Sequence, residues 1–468
     1  MPDPMGHPDR PLWLLSAREL ALGYAGGLSP DDVMAATLAR IDEINPKLNA
    51  IVTLDAAGAI ASAAASARRW KQGRPLGPLD GVPVTIKDNI LAEGLRATWG
   101  SRLYRNFVPD RDETPVLRLR EAGAAILGKT NVPELTLHGF TDNELFGVTG
   151  NPWNVALTPG GSSGGAVAAV ASGMGALALG TDGGGSIRRP AGHTGLVGFK
   201  PSRDTVPRDH GFPAILYNFE VVGPIARCVD DVISAIDIIA GANWSRHASE
   251  PKVQRPRIAY APTFSGAPVD PFIRDRVDRT VAEAQSLGLE IERVSPFDLA
   301  DPLVQVWPVI SQTGVAWLMA SRPDWKDKVS PAIAEMAAAG DRHAARDYLN
   351  ALDTITAMQR TFDAFFERYD FLITPTTAAM PWPARVSHPA EIDGKPVGPR
   401  GHAVFTPFAN ALGLPAISLP CRIEDDGMPV GLQIVAPRDH DRSLLSFARE
   451  FENRLFIHRW PPAFCWAG

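Results

Sequence analysis

Two serines and a lysine are the residues of this chain best suited to covalent chemistry. Ser162 lies in the run GGSSGG over 160–165, and Ser186 closes the run GGGS over 183–186. Glycine lets backbone approach a ligand with no side chain in the way and adopts positive φ without steric cost. Two such clusters, each carrying a hydroxyl, suit attack on an amide carbonyl. That reaction needs a nucleophile, a base for its proton, an acid for the leaving amine and donors for the oxyanion. Ser186 is the candidate nucleophile, with inward-turned amides of Gly183, Gly184 and Gly185 before it. The stretch 186–191 is suited to open a helix whose dipole would add to the field there. Ser162 would relay protons between Ser186 and a lysine, for which Lys87 is the candidate. A lysine acts as a base only when neutral, and at a reference pKa of about 10.4 fewer than about one in a thousand are neutral at pH 7. Desolvation lowers a buried lysine by up to roughly 3–5 pH units, so the lysine must be buried. Gly/Ser turns also serve tight packing alone, and that plainer reading stands beside the catalytic one.

Other motifs compete. The run GAAILGKT over 123–130 matches the phosphate-binding pattern GxxxxGK[ST]. Its context is wrong, because a helical pattern precedes the glycine and the four intervening residues read as an apolar strand rather than a phosphate cradle. Residues 160–164 match GxSxG, the nucleophile elbow of α/β-hydrolases. That elbow follows an apolar strand directly, and here a Pro- and Asn-bearing loop precedes it. It would also need a histidine, for which His402 or His440 would serve. No HxH, HExxH or paired-carboxylate spacing points to a metal.

These groups need elements to hold them. Residues 82–87 alternate, with Val82, Val84 and Ile86 on one face and Thr85 and Lys87 on the other, which places Lys87 at the end of a buried strand. Helices are expected over 30–44, ending before Asn45-Pro46, and over 57–71, 114–121, 166–174, 273–287 and 344–366. Strands are expected over 50–54, 124–127, 176–179, 257–260, 290–294 and 371–374. The stretch 204–253 reads as mixed loop and helix. The alternation favours an α/β architecture with a mixed or parallel sheet in a single domain over 1–468.

The chain has 468 residues and a net charge of −6, with no basic run to engage nucleic acid or an anionic membrane. Cys228, Cys421 and Cys465 are far apart and form no CxxC pair, which fits reduced thiols in a cytoplasmic protein. No signal peptide and no apolar run of membrane-spanning length is read.

Several segments together resemble the amidase signature family of serine hydrolases. They are GVPVTIKDNI (81–90), TPGGSSGGAVAAVASGMGALALGTDGGGSIRRPAG (158–192) and GLVGFKPS (195–202), with flanking likeness in GKTNVPEL (128–135), FGVTGNPWN (146–154), LITPTTAAMP (372–381) and GLPAISLPCRIEDDGMPVGLQIVAP (413–437). The likeness is weakest over about 205–365, a variable stretch suited to setting substrate choice.

The resemblance implies a central mixed sheet of about eleven strands surrounded by helices. It implies Ser186 as the acyl-forming nucleophile, Ser162 as a bridging serine behind a cis peptide at Gly161, and Lys87 as the base. The amides of Gly183, Gly184, Gly185 and Ser186 would form the oxyanion hole, with Ser163 and Arg188 supporting the loops. No cofactor or metal is implied. The substrate would be a small-molecule amide, or a carbamate or aryl anilide on the same machinery, with a homodimer as a permitted assembly. Two other readings are an inactive binding scaffold and an amidotransferase A-type subunit. Against the family pattern, 182–186 carries one more glycine than usual, and no tyrosine-rich run follows Pro201. The pocket is expected from 140–146 and from the tryptophan-bearing stretch 307–325, whose residues hint at a bulky apolar group.

Overall fold

The computed structural model describes residues 10–242, 244, 253, 255–422 and 427–455. Its strands, in chain order, are β1 (Ile51–Leu54), β2 (Pro83–Lys87), β3 (Ala125–Thr130), β4 (Leu177–Asp182), β5 (Val197–Lys200), β6 (Val221–Ala226), β7 (Ile258–Tyr260), β8 (Ile291–Arg293), β9 (Phe371–Pro375), β10 (Glu391–Ile392), β11 (Lys395–Pro396), β12 (Ala416–Pro420) and β13 (Gly431–Val435). Eleven of them form one mixed sheet in the order β1-β3-β2-β4-β6-β5-β12-β13-β9-β7-β8, and β10 pairs only with β11. The expected α/β fold with an eleven-stranded mixed sheet is therefore what forms.

Strands β2, β3 and β4 run parallel in the sheet's first half. All their residues are buried, which fits a sheet covered on both faces and explains their near-continuous apolar composition. Apart from Thr85, their polar side chains are confined to the C-terminal ends: Lys87, Lys129 with Thr130, and Thr181 with Asp182. Parallel pairing sets these ends side by side, with Lys87 level with Thr130 and Ile86 level with Leu179. The crevice beyond such ends is where open α/β sheets bind ligands.

Helix Gly164–Ala171 lies against this half of the sheet, built wholly of buried Gly, Ala and Val. It starts two residues earlier than the alanine pattern predicts, because Gly164 and Gly165 are drawn into the helix. A Cβ on Gly165 would stand 2.3 Å from the Asn131 amide nitrogen, so only glycine lets the helix seat this closely.

Several expectations need correction, among them the reading of 204–253 as mixed loop and helix, since it holds strand β6, which pairs with β4 and β5 inside the sheet. Helix Pro30–Leu48 starts at the Ser29 cap but runs through Pro46 to Leu48. The proline falls in the last turn, where few hydrogen bonds remain to lose, and Asn45 Oδ1 fastens the exit by accepting from the Ala50 and Ile51 amides at 3.0 and 2.8 Å. Strand β3 extends three residues past its predicted end, to Thr130. The stretch 307–325 serves both scaffold and cavity: helix Leu303–Ala320 buries Leu303, Val306, Ile310, Val315, Leu318 and Met319, while its Trp307, Pro308, Ser311 and Gln312 line a cavity. Among the described residues this helix alone is long and apolar enough to cross a membrane, contrary to the expectation of no such run, and it is bedded instead on helices Pro331–Gly340 and Ala345–Arg368. Cys228 and Cys421 are free thiols; Cys465, the stretch 245–252 and part of 413–437 lie outside the described residues.

Candidate active site

Lys87 ends β2 with its side chain fully buried. Its Nζ lies 2.8 Å from Ser162 Oγ, 2.8 Å from Thr181 Oγ1 and 3.1 Å from the Thr181 carbonyl oxygen. Burial drives this ammonium down to about 7, against the pull of Glu220 and Asp182. Desolvation thus wins over two nearby carboxylates, as the catalytic reading requires. Ser162 is delivered by the loop entering helix Gly164–Ala171, and the Gly161–Ser162 peptide is cis. Gly161 slots between backbone atoms of 138–140: a Cβ there would be 2.6 Å from the Phe140 carbonyl oxygen.

Ser186 sits on the turn after β4 and is 6% exposed, whereas Ser162 is 1% exposed. The two serine segments are joined by the Ser163 amide, which donates to the Ser186 carbonyl at 3.1 Å. Ser163 Oγ in turn donates to the Thr181 carbonyl at 3.2 Å. Among the described residues no hydrogen bond joins Ser186 Oγ to Ser162; the structure brings Lys87 and Ser162 into direct contact and sets Ser186 beside them through backbone.

Asp182 shapes that turn from inside. Its carboxylate accepts from the amides of Gly185 at 2.6 Å and Ile187 at 3.0 Å. Arg188 clamps the same carboxylate from Nε and Nη2 at 3.0 and 2.9 Å, then reaches Gln433 and Asn410 at 2.6 Å each. Burial would raise the Asp182 carboxyl, but Arg188 and Asn410 hold it far below the usual carboxylate range. The Gly185 amide is therefore occupied. The amides of Gly183, Gly184 and Ser186 have no protein acceptor among the described residues and remain as the donors open to an oxyanion. Gly185 has φ +113°, and a Cβ there would lie 2.2 Å from Thr406 Oγ1. Helix Arg188–Thr194 opens two residues after Ser186, later than the expected start at 186.

A second layer stands behind Lys87. Asn89 Nδ2 donates to Thr181 Oγ1 at 3.2 Å and to Glu220 Oε1 at 3.1 Å. Arg208 pairs with Glu220 and lies 3.4 Å from Glu113. Burial opposes ionisation of Glu220, yet Arg208 and Lys87 keep its carboxyl low. None of Asn89, Thr181, Asp182, Glu220, Asn410 or Thr406 stands out as catalytic in the sequence. The available signal was the pair Thr181-Asp182, polar residues closing an otherwise apolar buried strand.

The competing motifs do not survive. Residues 125–130 are strand, not a phosphate cradle, and buried Lys129 donates to the carbonyls of Asp88, at 3.2 Å, and Ile90. Loop, not strand, precedes Ser162, whose partner is Lys87. His402 Nε2 faces Arg189 at 2.8 Å, and His440 Nδ1 faces the Arg438 carbonyl at 3.0 Å. Among the described residues no group of three or more His, Cys, Asp or Glu side chains is placed to hold a metal ion. A cavity of about 690 Å³ opens between the loop at 137–139, helix Leu303–Ala320 and residues 387–402. Trp307 and Arg189 line it; the segment 140–146, expected to contribute, does not.

Comparison with known proteins agrees with this architecture. The Amidase family model matches residues 32–445. The acylamidase of Rhodococcus erythropolis is 35% identical over 94% of this chain and 95% of its own length. The A subunit of glutamyl-tRNA(Gln) amidotransferase from Symbiobacterium thermophilum is 33% identical over 96% of this chain and 98% of its own. The crystal structure of a bacterial aryl acylamidase of the amidase signature family superposes with a TM-score of 0.86 at 28% identity, covering 97% of this chain and 98% of that one. The chain belongs to the amidase signature family.

Proposed function

We propose that this protein hydrolyses a carboxylic amide to acid and amine through an acyl-enzyme on Ser186, with Ser162 as bridge and Lys87 as base. The observation that carries the reading is a buried lysine, brought down to about 7, in direct contact with a serine hydroxyl. As an ammonium, Lys87 donates three hydrogen bonds to its three partners. As a neutral amine it keeps two N–H groups for the Thr181 carbonyl and hydroxyl oxygens and turns its lone pair to Ser162, whose O–H then donates. Substrate brings Ser186 Oγ within reach of Ser162; hydrogen bonds at active sites often tighten only in the complex. Ser186 Oγ bonds to the carbonyl carbon while its proton passes to Ser162 and Ser162's own passes to Lys87. The free amides of Gly183, Gly184 and Ser186 stabilise the oxyanion, each such donor contributing about 3–4 kcal/mol. The proton returns through Ser162 to the leaving nitrogen, the C–N bond breaks, and water cleaves the ester by the same path.

The resemblance to aryl acylamidase extends the proposal to anilides, and carbamates present the same carbonyl–nitrogen bond. The likeness to the amidotransferase relatives favours a second reading, an ammonia-releasing component that works with partners. Purified chain that hydrolyses amides alone discriminates between the two.

The test is labelling with a fluorophosphonate, peptide mapping by mass spectrometry, and kinetics on amides. A single adduct on Ser186, with Ser186→Ala and Lys87→Ala each losing at least about 10³-fold in kcat while staying folded, is the expected outcome. Near wild-type rates in Ser186→Ala overturn the proposal.

A further inference from the structure

The cavity beside the Ser186 turn holds cationic groups that the hydrolytic steps leave unused. Arg400 lies with its guanidinium 4.0 Å above the Trp307 ring. Its Nη2 is buried without a hydrogen-bond partner, and no carboxylate pairs with it among the described residues. Burial, reinforced by the neighbouring Arg189 cation, holds Arg400 down at about 9. Arg189 is itself buried, spending its donors on the Gly185 carbonyl at 3.3 Å, the Gly161 carbonyl at 3.5 Å and His402 Nε2 at 2.8 Å. An arginine only donates, so His402 Nε2 accepts and the ring proton sits on Nδ1. That Nδ1 is also buried and unpartnered. Of the residues lining the cavity only Glu335 bears a carboxylate, and it is exposed on helix Pro331–Gly340.

An unpaired buried guanidinium is costly. Half-buried Arg400, with its Nη2 unpartnered beside the hydrogen-bonded Arg189 cation and the unpartnered His402 Nδ1, forms a site lacking its counter-ion. The site connects to the reaction centre through one side chain. The Trp307 indole edge lies against Gly184, where a Cβ would be 2.4 Å from the ring, and its face carries Arg400. The indole therefore lies between the Gly184 backbone and the Arg400 cation, with Trp307, Arg189 and Arg400 all lining the cavity.

We infer that this pocket selects amides carrying a second, ionised carboxylate, which Arg400 binds at the far side of Trp307. The inference rests on the amidase reading for its chemistry but not for its binding. It also revises the sequence-based hint of a purely apolar group: the aromatic wall is present, and a cation stands at its end.

The experiment uses two series. Mono-p-nitroanilides of succinic, glutaric and adipic acids carry the carboxylate on the acyl side, and N-acyl aminobenzoates carry it on the amine side; each is compared with its methyl ester. Acids of one series are expected to exceed their esters about 10- to 100-fold in kcat/KM, the range for a charge-assisted hydrogen-bonded pair. That ratio should collapse toward one in Arg400→Gln and fall partway in Arg400→Lys, which keeps the charge but loses the planar fork. The same acids and esters are titrated by calorimetry into Ser186→Ala, which needs no turnover. Absent turnover with tighter binding of the acid would remove the amidase reading and keep the pocket. Equal kcat/KM and equal affinity for acid and ester in both series of the wild-type pocket would overturn the inference, as would an undiminished preference in folded Arg400→Gln.

Discussion

Glu220→Gln offers the sharpest test of how Lys87 is tuned. Glu220 is the strongest of the groups resisting the desolvation of Lys87. It does not touch the lysine; a chain of hydrogen bonds of 3.1, 3.2 and 2.8 Å runs from Glu220 Oε1 through Asn89 and Thr181 to Nζ. The two charges are therefore no more than about 9 Å apart, and with an effective dielectric of about 20 their attraction is at least about 1.8 kcal/mol. One pH unit is worth about 1.4 kcal/mol, so removing the charge lowers the Lys87 midpoint by about one unit. Losing the carboxylate also leaves Arg208 without its main counter-charge, which pushes in the same direction. The base must be neutral to work, so kcat/KM rises with pH through that midpoint. The acid limb is expected near pH 7 in the wild type and near pH 6 in Glu220→Gln, with glutamine able to keep the bond to Asn89. A stopped-flow or plate assay of kcat/KM from pH 4.5 to 9 on an uncharged amide reads both limbs for the free enzyme. An unmoved or alkaline-shifted limb would refute the electrostatic account of Lys87.

Two further predictions concern the turn that carries Ser186. Arg188→Met leaves Asp182 ionised and buried without its clamp, and unfolding in urea should show a loss of about 3–5 kcal/mol; a loss under 1 kcal/mol would mean that Asn410 and the loop amides suffice. Gly185→Ala forces an L-residue to positive φ and drives its methyl into Thr406, so the same measurement should show a loss of about 1–3 kcal/mol, accompanied by a lower kcat; unchanged stability and rate would mean that the turn relaxes freely.

The parts of this molecule that were readable from the chain are those written in local pattern. Lys87 sits at the end of an alternating strand, and the small-residue runs around Ser162 and Ser186 mark where backbone must come close. The apolar stretches of β2 and β4 pointed to a covered sheet. What escaped are side chains whose roles arise only by convergence. Glu220 and Arg208, more than a hundred residues along the chain, meet Asn89 behind Lys87, and Arg400 reaches the cavity from a loop with no motif. Gly185 shows a subtler limit: its type announced close backbone approach, but not that its amide would be claimed by Asp182. Pro46 reads locally as a helix end, but it falls in the last turn, and the side chain of Asn45 fastens the exit by accepting from the Ala50 and Ile51 amides.

Helix Gly164–Ala171, with no side chain larger than valine and no exposed residue, presses one serine segment against the sheet. The groups proposed to react, on 83–87 and 158–186, thereby sit in segments that are buried throughout. The cavity's outer wall comes from 307–342 and 387–402, where exposed positions such as Glu335, Arg342 and Ser387 alternate with buried ones. On the proposed reading, the hydrolytic groups and most of the cavity wall reside on separate stretches of polypeptide. On that reading, a library confined to the second set, with Trp307 kept because it packs on Gly184, searches new substrates around an unchanged hydrolytic centre.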